Sequence, residues 1–182
     1  NYKELRLQLQ RAVQGTIEKP YFFATQTDTE VILAAYMRWG KDCLQHFKGM
    51  FAFAVYDKRE RTVFIARDRL GVKPLYYSFQ DHTLIFASEI RAISGCGLLE
   101  KKINRDALPD YLQYQTVHAP QTIMQDVYML LPGHFLWLEK NELTDHPWWK
   151  IEDNVNYESK DRSYQEICRD IKDLFYAAVE RR

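Results

Sequence analysis

The densest polar chemistry in this chain is Arg67-Asp68-Arg69, which runs through Leu70, Gly71, Val72 and Lys73 to Pro74 before Leu75-Tyr76-Tyr77. Guanidinium and carboxylate groups alternating beside a glycine and a proline suit a turn fixed by charge-assisted hydrogen bonds. Such a turn either faces a substrate or is a buried ion pair that rigidifies the backbone. The residues favour the structural role, carried by Arg67, Asp68, Gly71 and Pro74. A second candidate is Asp28, placed in the first turn of a helix that Thr27 caps. There its carboxylate either complements the helix dipole, worth ~0.3–1 kcal/mol, or accepts a ligand ammonium. Cys43, Cys96 and Cys168 are widely separated and form no C-x-x-C, so they read as unpaired thiols in a reducing compartment. The five histidines do not cluster, and no metal site is expected. No G-x-x-x-x-G-K-[ST], G-x-G-x-x-G or G-x-S-x-G occurs, which leaves phosphate cradles and serine elbows without support.

Elements must exist to hold these groups in place, and the composition can supply them. The chain has 182 residues, 46% apolar and 14% aromatic, enough for a substantial core. Its formal net charge is zero, without the basic excess of a nucleic-acid or membrane-surface binder. No apolar run reaches the ~20 residues of a spanning helix, and no signal-peptide pattern opens the chain. A cytoplasmic protein is expected.

Tyr2, Leu5, Leu9 and Val13 recur at helical spacing, and Gly15 and Pro20 then mark a turn. Tyr21–Ala24 reads as a short strand. Thr27 and Glu30 form a capping box for a helix ending at Gly40. From Met50 to Tyr56 the period changes to two with both faces apolar, as in a strand between two layers. Asp57–Arg61 is a charged turn to the partner strand Thr62–Ala66, and Leu75–Phe79 pairs with Thr83–Ala87. Ser88-Glu89 is expected to cap a short helix, and Asp106 another that reaches Tyr114 with Pro109 in its first turn. Val127–Trp149 reads as strands divided by Leu131-Pro132-Gly133 and Lys140-Asn141-Glu142. Residues 152–162 are linker-like, and Ser163-x-x-Glu166 opens a helix with Ile167, Ile171, Leu174, Phe175 and Ala178 on one stripe. The chain opens on Asn1 and closes on Arg181-Arg182, each inside a helical pattern, as expected of a piece of a longer protein.

Four segments occur together in order: Thr27–Leu33, Gly49–Ala54, Ala66–Tyr77 and Phe86–Ile90, followed by Leu131-Pro132-Gly133-His134. This combination resembles the class II glutamine amidotransferase domain of glutamine-hydrolysing asparagine synthetases, over essentially the whole chain. Amidophosphoribosyltransferases share weaker forms of the first three segments. The resemblance implies an α+β fold, the N-terminal nucleophile hydrolase sandwich of four α/β/β/α layers with antiparallel sheets, truncated at its N-terminus. It implies a partial amidotransferase domain over 1–150, with 151–182 a linker and the first helix of an ATP-dependent synthetase domain.

In that family a cysteine at the mature N-terminus attacks the glutamine amide, with its own α-amino group as base. Ammonia then passes through a tunnel to a domain where ATP activates aspartate as an adenylate. Asn1-Tyr2 resembles the residues just after the family's Asn-Gly-Glu-Ile-Tyr segment. The resemblance thus puts the nucleophile upstream of Asn1 and the Ser-Gly-Gly-x-Asp-Ser ATP loop downstream of Arg182, leaving no catalytic residue here and this chain inactive alone. It implies glutamine, aspartate and ATP as substrates, ATP and Mg2+ as needs of the parent alone, and no nucleic-acid or membrane partner; a homodimer stays open. Of the glutamine contacts it leaves Asp28, for the α-amino group, and it matches Met50 and Val72 to tunnel-lining positions that a plain core would fill equally well. Two alternatives remain: the amidotransferase domain of another enzyme, such as a β-lactam synthetase or an amidophosphoribosyltransferase, or a scaffold without catalysis.

Overall fold

The computed structural model describes residues 1–11, 20–155 and 162–180. Val13 and Gly15 lie outside them. The chain divides into two units, Asn1–Trp149 and Lys150–Arg182.

In the first unit, helices α1 (Tyr2–Gln10), α2 (Asp28–Trp39) and α3 (Cys43–His46) precede the sheets. Strands β1 (Ala52–Asp57), β2 (Thr62–Arg67), β6 (His134–Glu139) and β7 (Glu142–Pro147) form one antiparallel sheet in the order β1-β2-β6-β7. A second sheet, β4-β3-β5, holds β3 (Tyr76–Gln80), β4 (Thr83–Ala87) and β5 (Tyr128–Met129). Two short helices, α4 (Ile90–Gly95) and α5 (Leu108–Tyr114), lie between β4 and β5 in the chain.

Alternation along the strands sorts the side chains into three apolar layers. Phe64 and Ala66 of β2 turn to the helices and meet Leu5, Leu9, Val31, Ala35 and Leu44. Ile65, between them, turns the other way and packs with Leu75, Leu130 and Leu136 between the sheets. On the far side of the second sheet Ile93 of α4 packs with Met124 and Val127, beside Tyr76 and Ile85. Helix, sheet, sheet, helix is therefore the layer order, an α+β sandwich. Phe64 is wholly buried and has the rings of Tyr36, Phe53, Phe135 and Trp137 around it at 5.4–6.3 Å. Aromatic contacts of this kind add to plain area burial.

The turns follow local chemistry. Asp81-His82 and Lys140-Asn141 close their hairpins with two positive φ angles each, the geometry that matches strand twist. Gly40 ends α2 at φ +58°.

Four local expectations change. Tyr21–Ala24 forms no strand; Tyr21 donates one backbone bond to Leu9, and Phe22 is 87% exposed while Tyr21 and Phe23 join the core. The strand in Met50–Tyr56 does touch both layers, Phe53 and Val55 on the helix side and Ala52 between the sheets. The strand buried on both faces is nonetheless β2: among the described residues β1 ends its sheet, leaving Ala54 and Tyr56 exposed. Apolar composition could not separate a central strand from its edge neighbour. Glu89 occupies the N-cap of α4 without a capping side-chain bond, its carboxylate pairing with Arg91 instead. Asn104, rather than Asp106, caps the 3-10 turn leading into α5, accepting from Asp106 N–H at 3.2 Å, while Pro109 does fall in the first turn.

In the second unit Ser163 and Glu166 form the reciprocal capping box, at 2.8 Å and 3.3 Å, that opens α6 (Tyr164–Glu180). Among the described residues no helix is long and apolar enough to cross a membrane.

Candidate functional site

A cleft of about 320 Å3 lies in the first unit, with Asp28, Thr29, Ile32 and Leu33 of α2 on one side. Residues 50–55, running from Met50 along β1, form another wall, and Lys73, Pro74 and Ser88 complete it. The walls are mainly apolar, with Asp28 and Lys73 as the charged side chains.

Asp28 reaches the cleft because α2 begins where it does. Thr27 adopts extended backbone and its hydroxyl accepts from Glu30 N–H at 3.4 Å. The Glu30 carboxylate does not return to Thr27, as a reciprocal box requires. It accepts from the N–H groups of Ala24 at 2.8 Å and Thr25 at 2.6 Å, and from the Thr25 hydroxyl at 2.6 Å. The Thr25 hydroxyl and these amides hold the Glu30 carboxyl below its ordinary range. With Thr27 capping the helix and Glu30 holding the preceding Ala24–Thr25 backbone, Asp28 is left exposed at the positive end of α2. Among the described residues no hydrogen-bond partner engages its carboxylate.

The opposite wall is held from behind by Asp68, which is 1% exposed. One carboxylate oxygen accepts from Leu70 N–H at 3.2 Å and Val72 N–H at 2.9 Å; the other accepts from Phe51 N–H at 3.2 Å and Lys73 N–H at 3.0 Å. Asp68 N–H in turn donates to the Phe51 carbonyl at 2.9 Å. One side chain thus joins the Met50–Phe51 segment to the Val72–Pro74 segment. Arg67 does the complementary work with donors: Nε on the Lys73 carbonyl at 2.7 Å, Nη2 on the Gly71 carbonyl at 2.6 Å and Nη1 on the Leu130 carbonyl. Burial pushes the Arg67 guanidinium below its ordinary value, with neighbouring Asp68 opposing the shift. The expected buried ion pair is therefore replaced by two charged groups that each serve the backbone.

Gly71 is required on two counts. Its φ is +63°, and a Cβ there would stand 2.9 Å from Arg67 Cζ and from Pro132 Cγ. Pro74 and Met50 line the cleft, and Met50 is 41% exposed. Val72 is 50% exposed beside the cleft but is not among the residues that line it. The structure therefore brings Asp28, Met50 and Pro74 to one cavity, with Arg67, Asp68 and Gly71 behind its wall.

Sequence reasoning missed Lys73 and Ser88 as cleft residues, Phe51 as the partner of Asp68, and Trp148, which donates from its indole to the Arg67 carbonyl at 3.2 Å. The adjacent pair Trp148-Trp149 was the visible signal for the last. The cysteines are unsuited to nucleophilic attack in this cleft. Cys43 is buried and its thiol is pushed up to about 12 by desolvation and by Asp42, while Cys96 and Cys168 are exposed and do not line the cavity. Among the described residues no three His, Cys, Asp or Glu side chains converge as metal ligands.

Residues 1–149 match the model of a glutamine amidotransferase domain. The chain is 34% identical over 160 residues to asparagine synthetase [glutamine-hydrolyzing] 3 of Bacillus subtilis, covering 87% of this chain and 25% of that protein. It is 30% identical over 180 residues to asparagine synthetase [glutamine-hydrolyzing] 1 of the same organism, covering 98% and 27%. The chain thus spans about a quarter of the length of these curated relatives. Its fold is similar to that of glutamine phosphoribosylpyrophosphate amidotransferase from B. subtilis, with a TM-score of 0.53 at 20% identity, over 82% of this chain and 27% of that one.

Proposed function

The chain belongs to the glutamine amidotransferase domain family, and on that premise we propose that it is the ammonia-releasing part of a glutamine-hydrolysing asparagine synthetase. The observation that carries the reading is the Asp28 carboxylate, unoccupied by any described partner and set on the wall of an amino-acid-sized cleft. A glutamine α-ammonium loses its hydration in such a cleft, and an ionised acceptor offsets that loss far better than a neutral one. Asp28 stands in the first turn of α2, where the helix dipole favours a negatively charged group. Apolar walls from Ile32, Leu33 and Phe53 suit the methylene groups of the same substrate.

The nucleophile in this reading is a cysteine outside the described residues. Its sulfur adds to the amide carbon, the C–N bond breaks as the nitrogen leaves protonated as ammonia, and water then releases glutamate from the thioester. Cys43, Cys96 and Cys168 take no part, so the chain by itself does not hydrolyse glutamine. Ammonia passes Met50, with Val72 beside the cleft, to a second domain where ATP has activated aspartate. ATP and its Mg2+ are held there, and no step on the present residues passes through them. The parent works in the cytoplasm.

The test is isotopic. Glutamine labelled with 15N at its amide, supplied with aspartate and ATP to the complete polypeptide that carries this chain, is expected to yield asparagine labelled at its amide nitrogen. Label recovered in a different acceptor, or only as free ammonia with no synthesis from ammonium either, overturns the assignment.

A further inference from the structure

Trp148 follows β7, one residue before the end of the first unit, and three features tie it to the cleft wall. Its ring stacks on Phe51, with centroids 6.1 Å apart and planes 23° apart. Its indole N–H donates to the Arg67 carbonyl at 3.2 Å. The Arg69 guanidinium covers it, 4.8 Å from the ring centroid, while reaching the Phe47 carbonyl at 2.5 Å. Phe51 is the lining residue that Asp68 binds by both its N–H and its carbonyl.

Trp148 is itself held. Its N–H donates to the Gly133 carbonyl at 2.8 Å, and its carbonyl accepts from the Gln45 side chain at 3.2 Å. Gly133 sits at φ +68°, where a Cβ would stand 2.3 Å from the Trp149 carbonyl oxygen, so the backbone here is as tightly placed as the loop it supports. The ring has no acid, base or nucleophile to offer. What it supplies is a flat, fixed surface behind Phe51 and one hydrogen bond to the strand end that carries Asp68.

We propose that Trp148 is a positioning residue that holds the Met50–Phe51 wall of the cleft, so that ammonia released there is delivered onward instead of escaping. This rests on the amidotransferase reading above and adds to it a residue that touches neither glutamine nor the reacting atoms. A wall displaced by even an ångström spoils the alignment on which transfer depends.

The experiment uses the complete polypeptide, with Trp148→Phe, which keeps the stack and removes the donor, and Trp148→Leu, which removes both. The readout is glutamate released per asparagine formed, beside the rate of asparagine synthesis from ammonium. Trp148→Phe is expected to raise the ratio about fivefold, the scale of one net hydrogen bond, and Trp148→Leu, which also loses the ring stack, to raise it further. The ammonium-driven rate stays within about twofold of wild type, because its nitrogen bypasses the cleft. A role confined to stability lowers the rates together and leaves the ratio in place, and an unmoved ratio in folded Trp148→Leu overturns the inference. If that variant does not fold, an unmoved ratio in Trp148→Phe overturns it equally. Wild-type protein that makes asparagine from neither donor overturns the functional reading itself, whereas coupled wild type with an unmoved variant ratio overturns only the role of Trp148.

Discussion

Asp68 and Asp28 stand at one cleft, the first behind its wall and the second on its surface, and their surroundings are opposite. Asp68 is 1% exposed and accepts four backbone N–H groups, while Asp28 is exposed and engaged by no described hydrogen-bond partner. An ionised carboxylate has about four lone-pair sites. Asp68 has used its capacity and can only hold structure, whereas Asp28 keeps its capacity for something that arrives. The same residue type thus divides into scaffold and ligand group according to how many donors the local backbone turns toward it.

The strongest way to break this contrast is Asp68→Ala. It leaves the N–H groups of Phe51, Leu70, Val72 and Lys73 without their acceptor in a partly buried loop, and a loss of about 3 kcal/mol or more is expected from the known cost of unsatisfied buried groups. Denaturant unfolding measures it; a change under ~1 kcal/mol would place Asp68 among ordinary surface residues.

Asp28→Asn probes the other side. In the complete polypeptide it is expected to lower kcat/KM for glutamine roughly 10–200-fold, the equivalent of ~1.5–3 kcal/mol for a charged hydrogen bond. Synthesis from ammonium is retained and folding stability changes by less than ~1 kcal/mol. Equal losses with both nitrogen donors would mean that Asp28 is structural after all, and the contrast with Asp68 would fail.

Thr27→Ala tests what leaves Asp28 unoccupied. Loss of the cap to Glu30 N–H is expected to cost about 1 kcal/mol in thermal unfolding. The glutamine KM should rise as the first turn frays, with the ammonium-driven rate unchanged. An unchanged melting temperature would show that Glu30 alone holds the helix start.

The smallest expected effect is the pH dependence of Glu30. The Thr25 hydroxyl and the amides of Ala24 and Thr25 lower its pKa, so the folded state binds that proton less readily than the unfolded state. Its contribution is therefore fully present above the unfolded value of ~4.3 and is lost as pH falls through the lower folded one. The difference in melting temperature between wild type and Glu30→Gln should be constant above about pH 5.5 and shrink on acidification. A difference that grows toward acid would reverse the sign of the argument.

Legibility from sequence follows the range of the interaction. The Thr27 and Ser163 caps, the Gly40 stop and the hairpin turns were readable because donor, acceptor and backbone constraint lie within a few residues. The Arg67–Pro74 segment was readable as a rigid turn but not as to what it rigidifies. Its charges turn to carbonyls and amides, including Leu130, which no local pattern announces. Glu30 marks the boundary: its spacing to Thr27 suggested a reciprocal box, yet the preceding chain bends so that Ala24 and Thr25 take the carboxylate.

By itself the sequence determined the periodicities, the caps, the turn residues and the ordered motifs that place the chain among glutamine amidotransferase domains, because each is a property of neighbouring residues or of their order. Tertiary structure alone decided that β2 is central while β1 ends its sheet among the described residues, and that residues 28–29, 32–33, 50–55, 73–74 and 88 form one cleft. It alone also set Trp148 against Arg67, 81 residues away. These outcomes depend on which apolar faces meet across closed loops, and many partners of similar composition compete for each face until packing selects one.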